Sequence, residues 1–291
     1  MLSVTDLSSY LYCERKLFLQ KVFGLREPLK PVLIKGSIRH KTYELIYSGE
    51  EKVVGGISPG MGLADVETAY REKCGEVLRK VIADSEERLA MFDLDPEGLF
   101  FSVLPSLTKE FDERASVVFR FCTEHNVFGK ELWGKLEPKV EAELKIVSPD
   151  IGLTGIIDHI EVYSSGMVPV ELKTGKMPRD GMWPGHRVQL MAYGILLENH
   201  FKTSIKEGFV HYLDAKEKRH LAFNPFMQIE IREMVEKVNG LLQARRLPGF
   251  VSNKQKCLSC GLKESCYNEA KMREMEGKVQ KLPLSNKNQK V

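Results

Sequence analysis

Apolar residues recur every three or four positions through residues 5 to 22, where Leu7, Tyr10, Leu11, Leu17 and Phe18 share one face. This spacing predicts one helix with Cys13 in its interior and Ser3 or Thr5 as its N-cap. After the loop LREPLKP, the stretch GSIRHKTYELIYS returns to the same period and carries His40 near its start. Residues 50 to 63, EEKVVGGISPGMGL, are glycine-rich and predict a linker. Two charge-rich stretches, 64 to 94 and 106 to 135, predict a helical block, with Val66, Tyr70, Val77, Leu78 and Val81 at helical spacing. The period then shortens. KVEAELKIVS, GLTGIIDHIEVY and MVPVELKT are short alternating or apolar runs between turn residues and predict strands. GHRVQLMAYGILLENH predicts a helix, EGFVHYLD a strand, and MQIEIREMVEKVNGLLQAR a last helix before a cysteine-bearing tail. There is no internal repeat, and the final ten residues are expected to be disordered.

Composition narrows the class. A chain of 291 residues with 43% hydrophobic content can bury a sizeable core without staples. The first twenty residues contain Asp6, Glu14, Arg15 and Lys16, so they do not read as a signal peptide, and no run approaches the roughly 20 apolar residues of a membrane span. The expectation is a soluble, cytoplasmic protein with no membrane partner. In a reducing compartment six cysteines point to metal ligation before disulfides. Net charge is only +3, but residues 1 to 41 hold eight Lys/Arg against three Asp/Glu and residues 251 to 291 hold nine against four. Two ends of about +5 each, if brought together, could form a phosphate-binding surface.

Three charges interrupt the apolar strands: Asp158 in GIID, and Glu171 and Lys173 in ELK. An ionised group beside a packed face costs several kcal/mol unless it is paired or metal-bound. Residues two apart on a strand project from one face, so Glu171 and Lys173 point together. If the strands pair through the turn at Ser164 to Gly166, Asp158 approaches Glu171 across the ladder. Two such carboxylates repel unless a cation sits between them, and Mg²⁺ prefers oxygen ligands of this kind. Lys173 could then orient a water or stabilise charge on a phosphate, and His40 could supply a further ligand suited to Mn²⁺. A structural salt bridge is the alternative for each residue taken singly.

The tail CLSCGLKESC spaces Cys257, Cys260 and Cys266 as C-x2-C-x5-C, and Cys13 in YLYCERK is the best fourth thiolate. Four thiolates bind Zn²⁺ or an iron–sulfur cluster, and the ligand set alone does not choose. Cys74 and Cys122 have no ligand-like spacing and read as ordinary buried cysteines.

GSIRH, GIID, ELK and QLMAY, with His40, Asp158, Glu171, Lys173, Gln189 and Tyr193, resemble in order and placement the motifs of RecB-like PD-(D/E)xK nucleases. Together with YLYCERK, whose leucine comes one position early, and three late cysteines, the chain resembles the CRISPR-associated RecB-like exonucleases. The resemblance covers residues 1 to 48 and 138 to 270. It implies a restriction-endonuclease-like α/β core with a helical insertion and a C-terminal cysteine module. The expected divisions are 1–48 (first cysteine and motif histidine), 49–137 (insertion), 138–250 (nuclease core), 251–280 (cluster module) and 281–291 (tail). It further implies Mg²⁺ or Mn²⁺ on Asp158, Glu171, His40 and the Leu172 carbonyl, catalysis by Asp158, Glu171 and Lys173 with Gln189 and Tyr193, and a 4Fe-4S cluster on Cys13, Cys257, Cys260 and Cys266. Gln189 and Tyr193, four apart, share a helix face that could reach the cleft or the DNA backbone. The implied activity is DNA exonuclease action on single-stranded ends, trimming DNA before its integration into a CRISPR array alongside the integrase. The rivals are an exonuclease V type repair enzyme, a non-catalytic DNA-recognition subunit and a zinc-stapled structural protein.

Overall fold

The computed structural model describes residues 1–280, and the tail expected to be disordered, 281–291, lies outside the described residues. A short strand, β1 (Leu2–Ser3), leads into α1 (Val4–Tyr12) and α2 (Glu14–Lys21). The single helix expected over 5–22 is therefore broken. Cys13 adopts an extended backbone (φ −168°, ψ 112°) that ends α1, and its Sγ accepts the Lys16 N–H at 3.4 Å, as a capping oxygen does. Next comes α3 (Pro31–Ser48), which starts on the proline of the expected loop and so places His40 mid-helix.

The linker expected over 50–63 is partly helical, because α4 (Glu50–Gly55) follows α3 at once. The reason is Glu50, which is no solvent charge. It is fully buried, taking the Tyr70 hydroxyl at 2.6 Å and the Arg114 guanidinium at 2.6 and 3.0 Å. Arg114 also donates to the Pro138 carbonyl at 2.9 Å, so one ion pair ties the helical block to the entry of the sheet. The block is completed by α5 (Leu63–Ala83), α6 (Glu86–Ala90), α7 (Pro96–His125) and α8 (Gly129–Lys135). The start of α7 precedes the expected 106 because Asp95 caps it, accepting the Glu97 and Gly98 N–H groups at 3.0 and 2.9 Å.

Strands β2 (Lys139–Ser148), β3 (Leu153–Tyr163) and β4 (Gly166–Lys173) lie where alternation places them. They are followed by α9 (Pro184–Phe201), β5 (Glu207–Tyr212), β6 (Glu217–Ala222) and α10 (Phe226–Gln243). β6, EKRHLA, is too polar to read as a strand from sequence and forms by pairing antiparallel with β5. Three short helices close the described chain, α11 (Gln255–Leu258), α12 (Lys263–Tyr267) and α13 (Glu269–Gln280).

β2 runs antiparallel along one edge of β3. The other edge of β3 is divided: β1 pairs parallel at Leu2↔Leu153 and Ser3↔Thr154, and β4 pairs antiparallel from His159↔Val170 to Tyr163↔Gly166. Residues 155 to 158 thus lack a strand neighbour on that side. Beyond β4 the sheet continues through β5, which is parallel to it. Helices α1, α9 and α10 cover one face through Leu7, Ile157, Leu196 and Ile231, while Tyr43, Tyr70, Phe111, Val170 and Leu172 join the helical block to the other. The block shares a core with the sheet and is not a detached appendage. The chain ends meet in a smaller cluster in which Phe18, Leu19 and Phe23 pack on Leu262, Met272 and Val279. No helix among the described residues is long and apolar enough to cross a membrane.

Two carboxylates of the block, Glu50 buried and Glu110 half-buried, generate predictions. Removing one member of a buried pair leaves an uncompensated charge, so Arg114→Leu should lower stability by about 3–5 kcal/mol, read from the urea midpoint. Glu110 of α7 lies between the Tyr43 hydroxyl and the His211 ring, with Nδ1 3.4 Å from Oε1. Burial raises its carboxyl from 4.5 to about 7, against the opposing pull of Tyr43. A raised carboxyl favours folding only while neutral, so its contribution is full below pH 4.5 and lost as pH rises through 7. Burial holds His211 near 4, so the imidazole stays neutral across that window. Glu110→Gln should therefore gain on wild type between pH 5 and pH 8, by up to about 3 kcal/mol in urea denaturation.

Candidate active site

β3 and β4 part just after His159↔Val170, where Asp158 and Glu171 come next in register. In place of a main-chain ladder bond, the Asp158 carboxylate bridges the fork, Oδ2 accepting the Leu172 N–H at 2.7 Å. On the opposite edge, Glu143 of β2 takes a left-handed backbone (φ 55°) between the pairs Ala142↔His159 and Leu144↔Ile157. A non-glycine residue at such an angle costs of order 1–3 kcal/mol and is a mark of functional sites. Both breaks in the ladder flank Asp158.

Glu171 is 3% exposed. Its Oε1 lies 2.5 Å from Lys173 Nζ, and its Oε2 is buried with no hydrogen-bond partner. Burial first, and then the charge of Asp158, push the Glu171 carboxyl up to about 8, although Lys173 pulls the other way. Asp158 is half-buried, and although desolvation opposes its charge, its carboxyl is held below the usual value by His40, the Leu172 N–H and Lys173. His40 reaches in from α3, with Nδ1 3.5 Å from Asp158 Oδ1. Burial opposes its charge, but the Asp158 carboxylate and then Glu171 outweigh that and raise its pKa. Glu143 adds a third acid: burial and Asp158 raise its carboxyl too. The fork thus gathers three carboxyls around the cations of Lys173 and His40.

Gln189 and Tyr193, on the α9 face toward the fork, are 5% and 3% exposed. Burial, Glu171 and Asp158 raise the Tyr193 hydroxyl, and Gln189 pulls the other way. Of the two destinations expected for this face, the cleft or the DNA backbone, the burial of both side chains leaves them on the cleft side, beneath the carboxylates. Gly155 of GIID permits this, since a Cβ there would lie 2.9 Å from Tyr193 Cε1 and 3.0 Å from Leu196 and Val4. The absent side chain lets α9 seat against the gap in the sheet.

Among the described residues, no group of three or more His, Cys, Asp or Glu is already arranged to hold a metal ion. The residues of the fork nevertheless fit a hard cation. The orphaned Glu171 Oε2, the Asp158 charge and the raised Glu171 carboxyl are the features a divalent ion relieves.

The four sequence-selected cysteines line one small cavity. Arg15 Nε donates to Cys266 Sγ at 3.1 Å, and the Lys16 N–H donates to Cys13 Sγ. Around the cavity Tyr12 donates to the Lys256 carbonyl at 2.6 Å, Lys256 Nζ to Tyr12 O at 2.8 Å and Lys30 Nζ to Ser259 O at 2.8 Å. The two basic ends do meet, but several of their cations are used on carbonyls at the joint. Cys74 and Cys122 lie apart, buried in the helical block, and burial pushes the Cys74 thiol up to about 12.

Sequence reading missed Glu143, Arg39 and Asp214. Glu143 sits in the alternation of EAELK and reads as a solvent-face residue. Asp214, in the turn after β5, accepts the Gly175 N–H at 2.5 Å and also binds Arg39, fixing the chain just beyond Lys173. Only a tertiary contact reveals it.

Several known proteins are similar to this chain. The CRISPR-associated exonuclease Cas4/endonuclease Cas1 fusion of Leptospira interrogans is 24% identical over 151 residues, covering 48% of this chain and 28% of its own length. The CRISPR-associated exonuclease Cas4 of Rhodospirillum rubrum is 25% identical over 126 residues, covering 43% and 38%. The DNA replication ATP-dependent helicase/nuclease JHS1 of Arabidopsis thaliana is 22% identical over 290 residues, covering 91% and 20%. The chain therefore accounts for well under half the length of each of these relatives. The crystal structure of SSO0001 overlaps with a TM-score of 0.36 at 15% identity, covering 91% of this chain and 85% of that one, too loosely to carry an argument. The family model for the PD-(D/E)XK nuclease superfamily runs from residue 1 to residue 267, taking in the fork, α9 and the cysteine-lined cavity together. The chain accordingly belongs to the PD-(D/E)XK nuclease superfamily.

Proposed function

We propose that this chain is a metal-dependent DNA exonuclease that shortens single-stranded ends, and that it trims DNA fragments before their integration into a CRISPR array. The observation that carries the reading is the fork, where Asp158, Glu171 and Lys173 converge with one carboxylate oxygen of Glu171 left without a partner. Asp158, Glu171, the Leu172 carbonyl and His40 would hold one or two Mg²⁺ or Mn²⁺ ions. Such an ion supplies Lewis acidity toward a phosphodiester and lowers the pKa of a nearby water. Lys173 Nζ orients the attacking water and offsets charge developing on the phosphate. Gln189 and Tyr193 hold Glu171 and the Lys173 strand in place from behind.

The partner proposed is a CRISPR integrase. Its support is similarity to relatives described as fusions of Cas4 to the endonuclease Cas1. A second reading, a nuclease of the DNA replication and repair type, draws on a different observation. The similarity to JHS1 extends over 91% of this chain, whereas that to the two Cas4 proteins described above covers less than half. Addition of a CRISPR integrase to a prespacer-trimming assay separates them: the first reading expects the product length to be set by the integrase, the second expects no effect.

The cysteine cavity supports a 4Fe-4S cluster on Cys13, Cys257, Cys260 and Cys266. The four thiols border one cavity, which gives a cluster its four thiolate ligands from one place in the fold. A cluster there would close a loop of more than 240 residues and, by analogy with a long disulfide loop, stabilise by a few kcal/mol.

Two outcomes test these readings. End-labelled single-stranded DNA should be shortened by wild type with Mn²⁺ and left intact with EDTA. Glu171→Ala and Lys173→Ala should each lose at least about 100-fold in rate while retaining DNA binding. Full activity in either variant would overturn the assignment. Anaerobically purified protein should be brown with about four irons per chain, and Cys257→Ala should lose the colour; colourless protein with stoichiometric zinc would contradict the cluster.

A further inference from the structure

A groove opens beside the fork. Its walls are one face of α3 (Val32, Lys35, Arg39), one face of α7 (Leu99, Val103, Ser106) and the β5–β6 turn with Leu213 and Lys216. Thr174 and Gly175, the two residues after Lys173, form its near end, so the groove begins where the catalytic strand stops. Arg39 is adjacent in sequence to His40, which makes α3 continuous from the fork into the groove. Gly36 lets α3 lie close to this end, as a Cβ there would be 3.1 Å from Thr174 Oγ1. The cavity is about 410 Å³ and runs into a second of about 460 Å³, with Ser106, Leu213 and Lys216 lining both. Each has the volume of a small-molecule site, enough for a nucleotide or two of one strand.

The charge of the first cavity is the second observation. Its one carboxylate, Asp214, is committed to Arg39 and to the Gly175 N–H. Lys35 and Lys216 are exposed, and among the described residues neither has a carboxylate partner. Arg39, held by Asp214, keeps Nε without a partner. The groove therefore carries uncompensated positive charge within one residue of the active strand. The second cavity adds Lys109, Lys218, Arg114 and the ring of Tyr163 together with Glu110, Glu113 and Glu161, with Lys218 paired to Glu161 and Arg114 to Glu50; its charges offset one another, and the aromatic ring offers a surface for a base. A cationic track with an aromatic surface further along is the arrangement that binds single strands without reading sequence.

Resting on the nuclease reading above, we propose that this groove under α7 seats the sugar–phosphate backbone of one DNA strand running away from the scissile phosphate, with Lys35 and Lys216 as phosphate contacts. The helical insertion is then the outer wall of a single-strand track. It excludes duplex because strand and wall must share a cleft bounded on both sides by packed elements.

The test is binding of a fluorescein-labelled oligodeoxythymidylate, without added metal, across a salt series. Each phosphate contact to a single strand contributes about 0.7 to the log–log salt slope, so Lys35→Ala/Lys216→Ala should reduce the slope by about 1.4 and weaken binding. Lys35→Arg/Lys216→Arg should restore both. Lys80→Ala, which changes an exposed lysine outside the groove, should leave the slope unchanged. A blunt duplex should show no slope difference between wild type and the alanine pair. If the alanine pair binds the single strand with the wild-type slope, the groove assignment is overturned even though cleavage persists. If Glu171→Ala still cleaves, the catalytic reading falls while the salt slope remains a separate result.

Discussion

Asp158 and Glu171 stand next to each other where two antiparallel strands separate, Glu171 buried and Asp158 half-buried, and the surrounding structure is arranged around keeping them there. The pair is unfavourable in isolation, as the rise of the Glu171 carboxyl to about 8 records. Lys173 and His40 offset part of the cost, and the Leu172 N–H takes up Asp158 Oδ2. The split edge of β3, the left-handed Glu143 and the missing side chain at Gly155 make room for the pair. A chain selected for stability alone would have an unbroken ladder at this point.

The same constraint explains how the rest of the chain is used. The sheet needs cover on both faces to hold a charged pair rigid. Helices α1, α9 and α10 supply one side, and the α3–α8 block supplies the other through the core that includes Val170 and Leu172. The Glu50–Arg114–Tyr70 network fixes that block to the start of β2 by way of the Pro138 carbonyl. At the far end, the cysteine cavity and its carbonyl contacts join α1 and α2 to the last described helices, so both chain ends brace the layer that carries Tyr193.

Much of this was legible in the sequence. The strands around Asp158 and Glu171 are legible as short alternating or apolar runs between turn residues, and the helix of Gln189 and Tyr193 as a longer apolar run, buried without a break from Val188 to Leu197. The site motifs were visible because charges in apolar runs are costly. What escaped was tertiary. Cys13 breaks a helix that its neighbours' spacing would continue, Glu50 turns a glycine-rich stretch into helix by finding Arg114 more than sixty residues away, and β6 exists only because β5 offers it an edge. Asp214 and Glu143 look like surface acids until the fold brings them to Gly175 and Asp158.

If a divalent cation compensates the Asp158–Glu171 pair, the melting temperatures of wild type and Glu171→Gln with and without Mn²⁺ read it most directly. An ion that binds only the folded state stabilises it by mass action, about 2.7 kcal/mol at a hundred times its dissociation constant. Wild type should show a clear Mn²⁺-dependent rise and Glu171→Gln none, with the metal-free variant at least as stable as wild type because a buried acid has been removed. Equal Mn²⁺ shifts in both proteins, or none in wild type, would contradict that compensation.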